Sequence, residues 1–123
     1  ETVFLLLVQH QKLLLEKRPA SGIWGELWCL PEIETRTDTA LYCQRHWGIK
    51  VQSSIELPVL DHQFTHFKLR IYPRLLQVIS STLIQQNKFI WIKPSDALEQ
   101  AIPTPVRKLL KQNFLSDSCT LTT

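Results

Sequence analysis

Leu15–Glu32 reads L-E-K-R-P-A-S-G-I-W-G-E-L-W-C-L-P-E, and the way it folds decides the rest of the chain. Two tryptophans and two of the three glycines sit here beside a basic pair and a proline. Such a stretch can cradle a phosphate, grip a base, or turn back tightly against a core. A Walker-type phosphate cradle needs G-x-x-x-x-G-K-[ST], and G-I-W-G-E lacks that spacing. What the residues support is a loop punctuated by Pro19, Gly22 and Gly25, passing into a short strand near Leu27–Leu30 that Pro31 closes. Trp24 and Trp28 then read as packing residues rather than stacking platforms.

With that segment a loop, the apolar runs around it become strands. Upstream, T-V-F-L-L-L-V and L-L-L-E are separated by Q-H-Q-K, which predicts a hairpin of largely buried strands, Thr2–Val8 and Leu13–Lys17. Downstream, Thr37 or Asp38 caps a helix to about Trp47, with Ala40, Cys43 and Trp47 on one face and Gly48 as its stop. Strands at Ser54–Leu60 and Phe67–Val78 flank D-H-Q-F-T-H. In the second, Phe67, Leu69 and Ile71 alternate with Lys68, Arg70 and Tyr72, giving one apolar and one basic face. Pro73 is expected to bend this strand or to occupy an unpaired edge position.

Ser80–Lys88 reads as a loop, F-I-W-I as a strand and P-S-D-A-L-E-Q as a brief helix. T-P-V-R-K-L-L-K-Q-N-F predicts a final helix with Thr104 as N-cap, Pro105 in the first turn, and Val106, Leu109, Leu110 and Phe114 as its apolar stripe. The tail 115–123 has little to bury and is expected to fray. The order β-β-β-α-β-β-β-α-α predicts an α/β (α+β) fold, a mixed β-sheet sandwiched between helices, in a single domain over residues 1–114.

Composition agrees with one ordinary globular domain: 123 residues, 44% hydrophobic and 20% charged. The apolar run Val3–Val8 is too short to span a bilayer, and no secretory signal opens the chain. The chain has no methionine and begins almost inside an apolar run, which predicts a piece of a longer protein. A net charge of +3 permits a polyanionic partner without requiring one. Cys29, Cys43 and Cys119 are odd in number, widely spaced and form no C-x-x-C pair. They read as free thiols of a reducing compartment, the cytoplasm, rather than as zinc or iron–sulfur ligands.

Nucleophilic catalysis has no motif here: there is no G-x-S-x-G elbow, and His10, His46, His62 and His66 lack a Ser or Cys partner by spacing. The strand–loop–strand–helix opening resembles that of a Nudix hydrolase, whose signature helix ends R-E-U-x-E-E-x-G-U, with U apolar. Aligned on Gly48-Ile49, the three carboxylate positions hold Tyr42, Arg45 and His46. Mg²⁺ needs hard oxygen ligands, so this helix lacks the hydrolase chemistry.

Four motifs in order sharpen the resemblance: R-P-x-S-G-I-W-G-x-L-W-C-L-P-E, then F-T-H-F-K-L-x-I-x-P, then I-W-I, then A-I-P-T-P-V-R-K-L-L. Together, over about Thr2–Phe114, they resemble the C-terminal, Nudix-like, non-hydrolytic domain of the MutY-type adenine DNA glycosylases. The resemblance implies a domain that helps recognise 8-oxoguanine opposite adenine in double-stranded DNA. Base removal would fall to an N-terminal catalytic domain of the same polypeptide, which would also carry a 4Fe-4S cluster; no cofactor and no catalytic residue is expected in this chain. It places the lesion-contacting loop on Phe64, Thr65 and His66. Many relatives have serine at the Thr65 position and a second glycine at Glu26. Two rivals stay open: a working hydrolase of oxidised nucleotides, and a protein-interaction module.

The residues themselves point to the same loop. Phe64 falls on the outward parity of a strand whose inward set is Phe67, Leu69 and Ile71, so it either caps the core locally or makes contacts. Guanine presents an acceptor at N7, whereas its 8-oxo form carries a hydrogen there. A protein acceptor aimed at N7 therefore bonds the lesion and faces a lone pair in guanine. The threonine hydroxyl donates or accepts, so backbone groups of Phe64–His66 are expected to share the readout. Lys68, Arg70 and Arg74, with Lys17 and Arg18 as a second patch, read either as phosphate contacts or as a solvated strand face.

Overall fold

The computed structural model describes residues 1–83 and 88–114; the predicted loop Ser80–Lys88 in part, the predicted tail 115–123 and Cys119 lie outside them. Strand β1 (Thr2–Gln9) turns into β2 (Lys12–Lys17) through His10 and Gln11, whose φ values of 53° and 64° are those of a tight hairpin turn. After the loop come two short strands, β3 (Trp28–Cys29) on β2 and β4 (Glu32–Ile33) back on β1. Helix α1 (Thr39–Trp47) leads to β5 (Ile49–Glu56), β6 (Leu60–Gln63) and the long β7 (Lys68–Ser81). Strand β8 (Phe89–Ile92) pairs with β2, and α2 (Pro94–Ala97) and α3 (Thr104–Asn113) follow.

The strands form one mixed sheet of order β3-β2-β1-β7-β5, in which β1 and β7 run parallel and the other pairs are antiparallel. Strand β1 sits at its centre with both faces covered, which is why it reads as an unbroken apolar run. Phe4 and Leu6, with Leu13 and Leu15, pack against Ala97 of α2 and Val106, Leu109 and Leu110 of α3. Val3, Leu5 and Leu7, with Leu14 and Leu76, pack against Cys43 of α1. The helices thus lie on opposite faces, as the element order predicts.

Three local expectations are corrected, and two open choices are settled. Of Thr37 and Asp38, Asp38 is the α1 cap, accepting from the Leu41 N–H at 3.1 Å; the helix phase buries Thr39 and Cys43 and leaves Ala40, expected on the inner face, exposed. The expected strand Ser54–Leu60 is two strands, broken around Pro58 between Glu56 and Leu60. Thr104 lies inside α3 rather than capping it; Pro103 holds the cap position, and its carbonyl accepts from the Arg107 N–H at 3.0 Å. Pro73, expected to bend its strand or to leave an edge position unpaired, is buried within β7 opposite Phe4, and is unpaired on its other side, between the β5 and β6 ladders.

The tolerance of that proline has a simple cause. The Pro73 carbonyl accepts from the Leu57 N–H at 2.9 Å, so its backbone polar groups face the β5/β6 side. The missing N–H therefore falls in the gap between those two strands, where no ladder bond is lost. That same gap releases β6 to form a separate hairpin with the start of β7, and this hairpin carries the candidate site. No described helix is long and apolar enough to cross a membrane.

Candidate nucleic-acid interface

Strand β6 pairs with β7 from Leu60↔Ile71 to Gln63↔Lys68, leaving Phe64–Phe67 as the hairpin tip. The Phe64 N–H donates to the Phe67 carbonyl at 2.7 Å and closes it. The Gln63 side-chain amide then donates to the Phe64 carbonyl at 2.9 Å and the Phe67 carbonyl at 3.3 Å. The base of the tip is thus locked by its own hydrogen bonds. Thr65 and His66, between these groups, are exposed, and among the described residues no hydrogen bond engages them. Their hydroxyl, imidazole and backbone groups all remain open to a partner.

The parity puzzle over Phe64 resolves as a local cap, with exposed residues beside it. Its ring is half-buried, 5.4 Å from the Trp24 ring and edge-on to His62 at 4.7 Å. Phe67, expected inward, is instead 46% exposed and stacks on Phe64 at 4.5 Å with an interplanar angle of 19°. The inward set of β7 begins with half-buried Leu69 and buried Ile71, because the sheet's core ends before the tip.

The five candidate phosphate-contacting cations differ sharply in setting. Lys68 is exposed at the foot of the tip. Arg70 is exposed and forked onto Asp61, Nε to Oδ1 at 3.0 Å and Nη2 to Oδ2 at 3.3 Å. That bonding lowers the Asp61 pKa from the ordinary carboxylate value and raises that of Arg70. Arg74 is half-buried and donates to the Thr39 hydroxyl at the start of α1. Arg18 is half-buried and paired with Glu32, which also accepts from the Thr2 hydroxyl. Lys17 lies over the Trp28 ring, its Nζ 5.7 Å from the centroid.

The loop after β2 is laced by backbone bonds: the Arg18 N–H donates to the Leu27 carbonyl at 2.9 Å, and the Glu26 N–H to the Arg18 and Pro19 carbonyls at 3.2 Å each. Trp24 and Glu26 both adopt left-handed backbone, φ 56° and 63°. This explains why a second glycine suits the Glu26 position: glycine adopts that conformation without steric cost. At Gly25 between them, a Cβ would overlap the Ala20 carbonyl oxygen, so glycine is required there. Trp24 packs against the core at Phe4, as expected, but its contacts with the β6–β7 hairpin were not foreseen. It joins two loops far apart in sequence, and only the W between two glycines hinted at a special conformation.

Elsewhere the chemistry is muted. Burial pushes the Cys29 thiol up to about 12 and the Cys43 thiol up to about 11, so both stay protonated and poorly nucleophilic at neutral pH. On α1, the Tyr42 ring stacks on His46 at 4.0 Å where a hydrolase would hold carboxylates. Among the described residues, no group of three or more His, Cys, Asp or Glu side chains comes together in a metal-binding arrangement.

Comparison with known proteins agrees with this geometry. A family model described as the NUDIX domain matches residues 2–112. The adenine DNA glycosylase of Buchnera aphidicola subsp. Acyrthosiphon pisum (strain APS) is 26% identical over 113 residues, covering 90% of this chain and 32% of that protein. Its counterpart from Buchnera aphidicola subsp. Baizongia pistaciae (strain Bp) is 29% identical over 108 residues, covering 87% of this chain and 30% of that protein. The chain therefore spans about a third of the length of the curated relatives it matches. Among solved structures, the C-terminal domain of mouse MUTYH, crystallised in complex with human PCNA, superposes with a TM-score of 0.69 at 18% identity, covering 99% of this chain and 91% of that one. The MutT NUDIX hydrolase from Burkholderia pseudomallei gives 0.64 at 17% identity, covering 91% and 95%. The mixed sheet, the helices on its two faces and the match across residues 2–112 lead to one conclusion: the chain belongs to the NUDIX domain family, and within it resembles the corresponding part of the adenine DNA glycosylases.

Proposed function

We propose that this domain recognises 8-oxoguanine opposite adenine in double-stranded DNA, on behalf of an adenine DNA glycosylase of which it is one part. The observation that carries the reading is the Phe64–Phe67 tip: a hydrogen-bonded base holding Thr65 and His66 exposed with every polar group unspent. Acceptors among these groups would meet the N7 hydrogen that guanine lacks. The Phe64 N–H is used within the tip and its carbonyl accepts one bond from Gln63, so the groups wholly unspent are those of Thr65 and His66.

Glycosidic-bond cleavage belongs, in this reading, to a separate catalytic part of the same polypeptide. The 4Fe-4S cluster that the family resemblance implies would lie in that catalytic part. Cys29 and Cys43 lie in opposite core layers, either side of the central sheet, and cannot share a cluster. Buried free thiols fit a reducing compartment, the cytoplasm in this proposal.

Phosphate contacts fall first to Lys68, which makes no direct ion pair among the described residues, and less to Arg70, which is forked onto Asp61. Arg74, Arg18 and Lys17 have their heads engaged within the domain and act mainly as its braces. The test compares the complete protein on duplexes carrying 8-oxoguanine or guanine opposite adenine. The damaged duplex is expected to bind about tenfold tighter or more. Lys68→Ala should weaken both equally and flatten the logarithmic salt slope by about 0.9, with a smaller change for Arg70→Ala. No preference for the damaged duplex would refute the function, and a loss confined to the damaged duplex would refute the role of Lys68.

A further inference from the structure

We propose that Trp24 is the positioning residue of the reading tip, an inference that rests on the function proposed above. Among the described ring contacts, the indole joins the rigid centre of the sheet to the tip. Its ring meets the fully buried Phe4 of β1 edge-on at 6.2 Å, His62 of β6 at 5.8 Å and Phe64 at 5.4 Å. Phe64 in turn stacks on Phe67 and bonds it through the backbone, so the tip rests on the indole. A two-stranded hairpin on its own is marginal in water. This one projects beyond the core, where β7 turns from buried to exposed, and needs an external support to hold a fixed geometry.

The backbone around Trp24 shows that the indole's placement is specified. Left-handed backbone is unfavourable for a tryptophan, yet the loop holds it there through the Leu27 N–H, which donates to the Trp24 carbonyl at 3.1 Å. The close packing of Gly25 on Ala20 fixes the same turn from the other side. An ordinary core tryptophan needs no such turn. Here the turn carries the side chain out of the first hairpin's loop and under the second hairpin. Among the described ring contacts, Trp24 meets the tip through Phe64 and the strand before it through His62, which is the route by which it positions Thr65 and His66.

The experiment uses the complete protein and reads the ratio of affinities for the 8-oxoguanine and guanine duplexes, alongside thermal unfolding. Trp24→Leu keeps apolar bulk without the ring and Trp24→Phe keeps a ring. Val78→Ala, in the opposite core layer, supplies a comparison destabilised without touching the tip. Trp24→Leu is expected to lower the ratio about tenfold, Trp24→Phe to retain most of it, and Val78→Ala to lower the melting temperature with the ratio intact. An unchanged ratio in Trp24→Leu, with Thr65→Ala still lowering it, overturns the positioning role and leaves the tip as reader. An equal fall in Val78→Ala overturns it as well. If Thr65→Ala also leaves the ratio unmoved, the functional reading itself falls, and the role of Trp24 with it.

Discussion

Phe4→Ala is expected to destabilise the domain by about 3–5 kcal/mol, the largest stability effect foreseen for any single truncation here. Phe4 is fully buried at the centre of the sheet, opposite Pro73 on one neighbour and Glu32 on another. Its loss leaves a cavity that cannot collapse, because β1 is pinned by ladders on both sides and its ring neighbours come from several elements. Urea unfolding followed by tryptophan fluorescence measures the change. The contrasting truncation, Phe64→Ala, removes a half-buried ring at the sheet's margin and should cost less than half as much. A smaller loss for Phe4 than for Phe64 would mean that the core is centred elsewhere.

The second large effect concerns discrimination rather than stability. Thr65→Ala is expected to cost about 1.4 kcal/mol of binding to the 8-oxoguanine duplex, a tenfold loss, within the usual range for a buried polar group left without its partner. Binding to the guanine duplex should fall less, since there the hydroxyl can only donate to N7 while the neighbouring carbonyls face its lone pair. Thr65→Ser keeps the hydroxyl and should behave like the original. Some preference should survive in Thr65→Ala, because the backbone carbonyls of Thr65 and His66 still accept. Equal loss on both duplexes would mean that the tip merely supports the DNA. No loss on either would favour a protein-interaction module.

How much of this was legible from the residues depends on distance along the chain. The hairpin β1–β2 and the α3 stripe were readable because local periodicity and burial coincide: Leu5, Leu6 and Leu7 are buried on alternating sides, and Val106, Leu109 and Leu110 face one layer. Two-residue β4 has too little sequence to carry a pattern, and Glu32 within it makes its bonds to Arg18 and Thr2, partners distant in sequence. The cap of α3 was misread because Thr104 stands between two prolines, either of which can open a helix. For Pro73 the residues left open a bend or an unpaired position, because nothing local to it reveals that β5 and β6 part just opposite.

For the site, the F-T-H motif located the tip, and the alternation of Lys68 with Leu69 located its foot. What lay beyond reach were the long-range contacts: Trp24 beneath Phe64, Asp61 balancing Arg70, and Thr39 receiving Arg74. A charge's partner across a sheet or at a helix start leaves no local trace, so five cations that look alike in sequence divide in space. The left-handed Glu26 belongs to the same class, since a tolerated strain is visible only in the backbone.

The most direct test of the central claim is a cocrystal structure of the complete protein on a duplex holding 8-oxoguanine opposite adenine. The account predicts the damaged purine against the Phe64–Phe67 hairpin, its N7 donating to an oxygen of Thr65 or His66 at about 2.7–3.2 Å. A damaged purine docked against another surface, with Thr65 and His66 facing solvent, would contradict it.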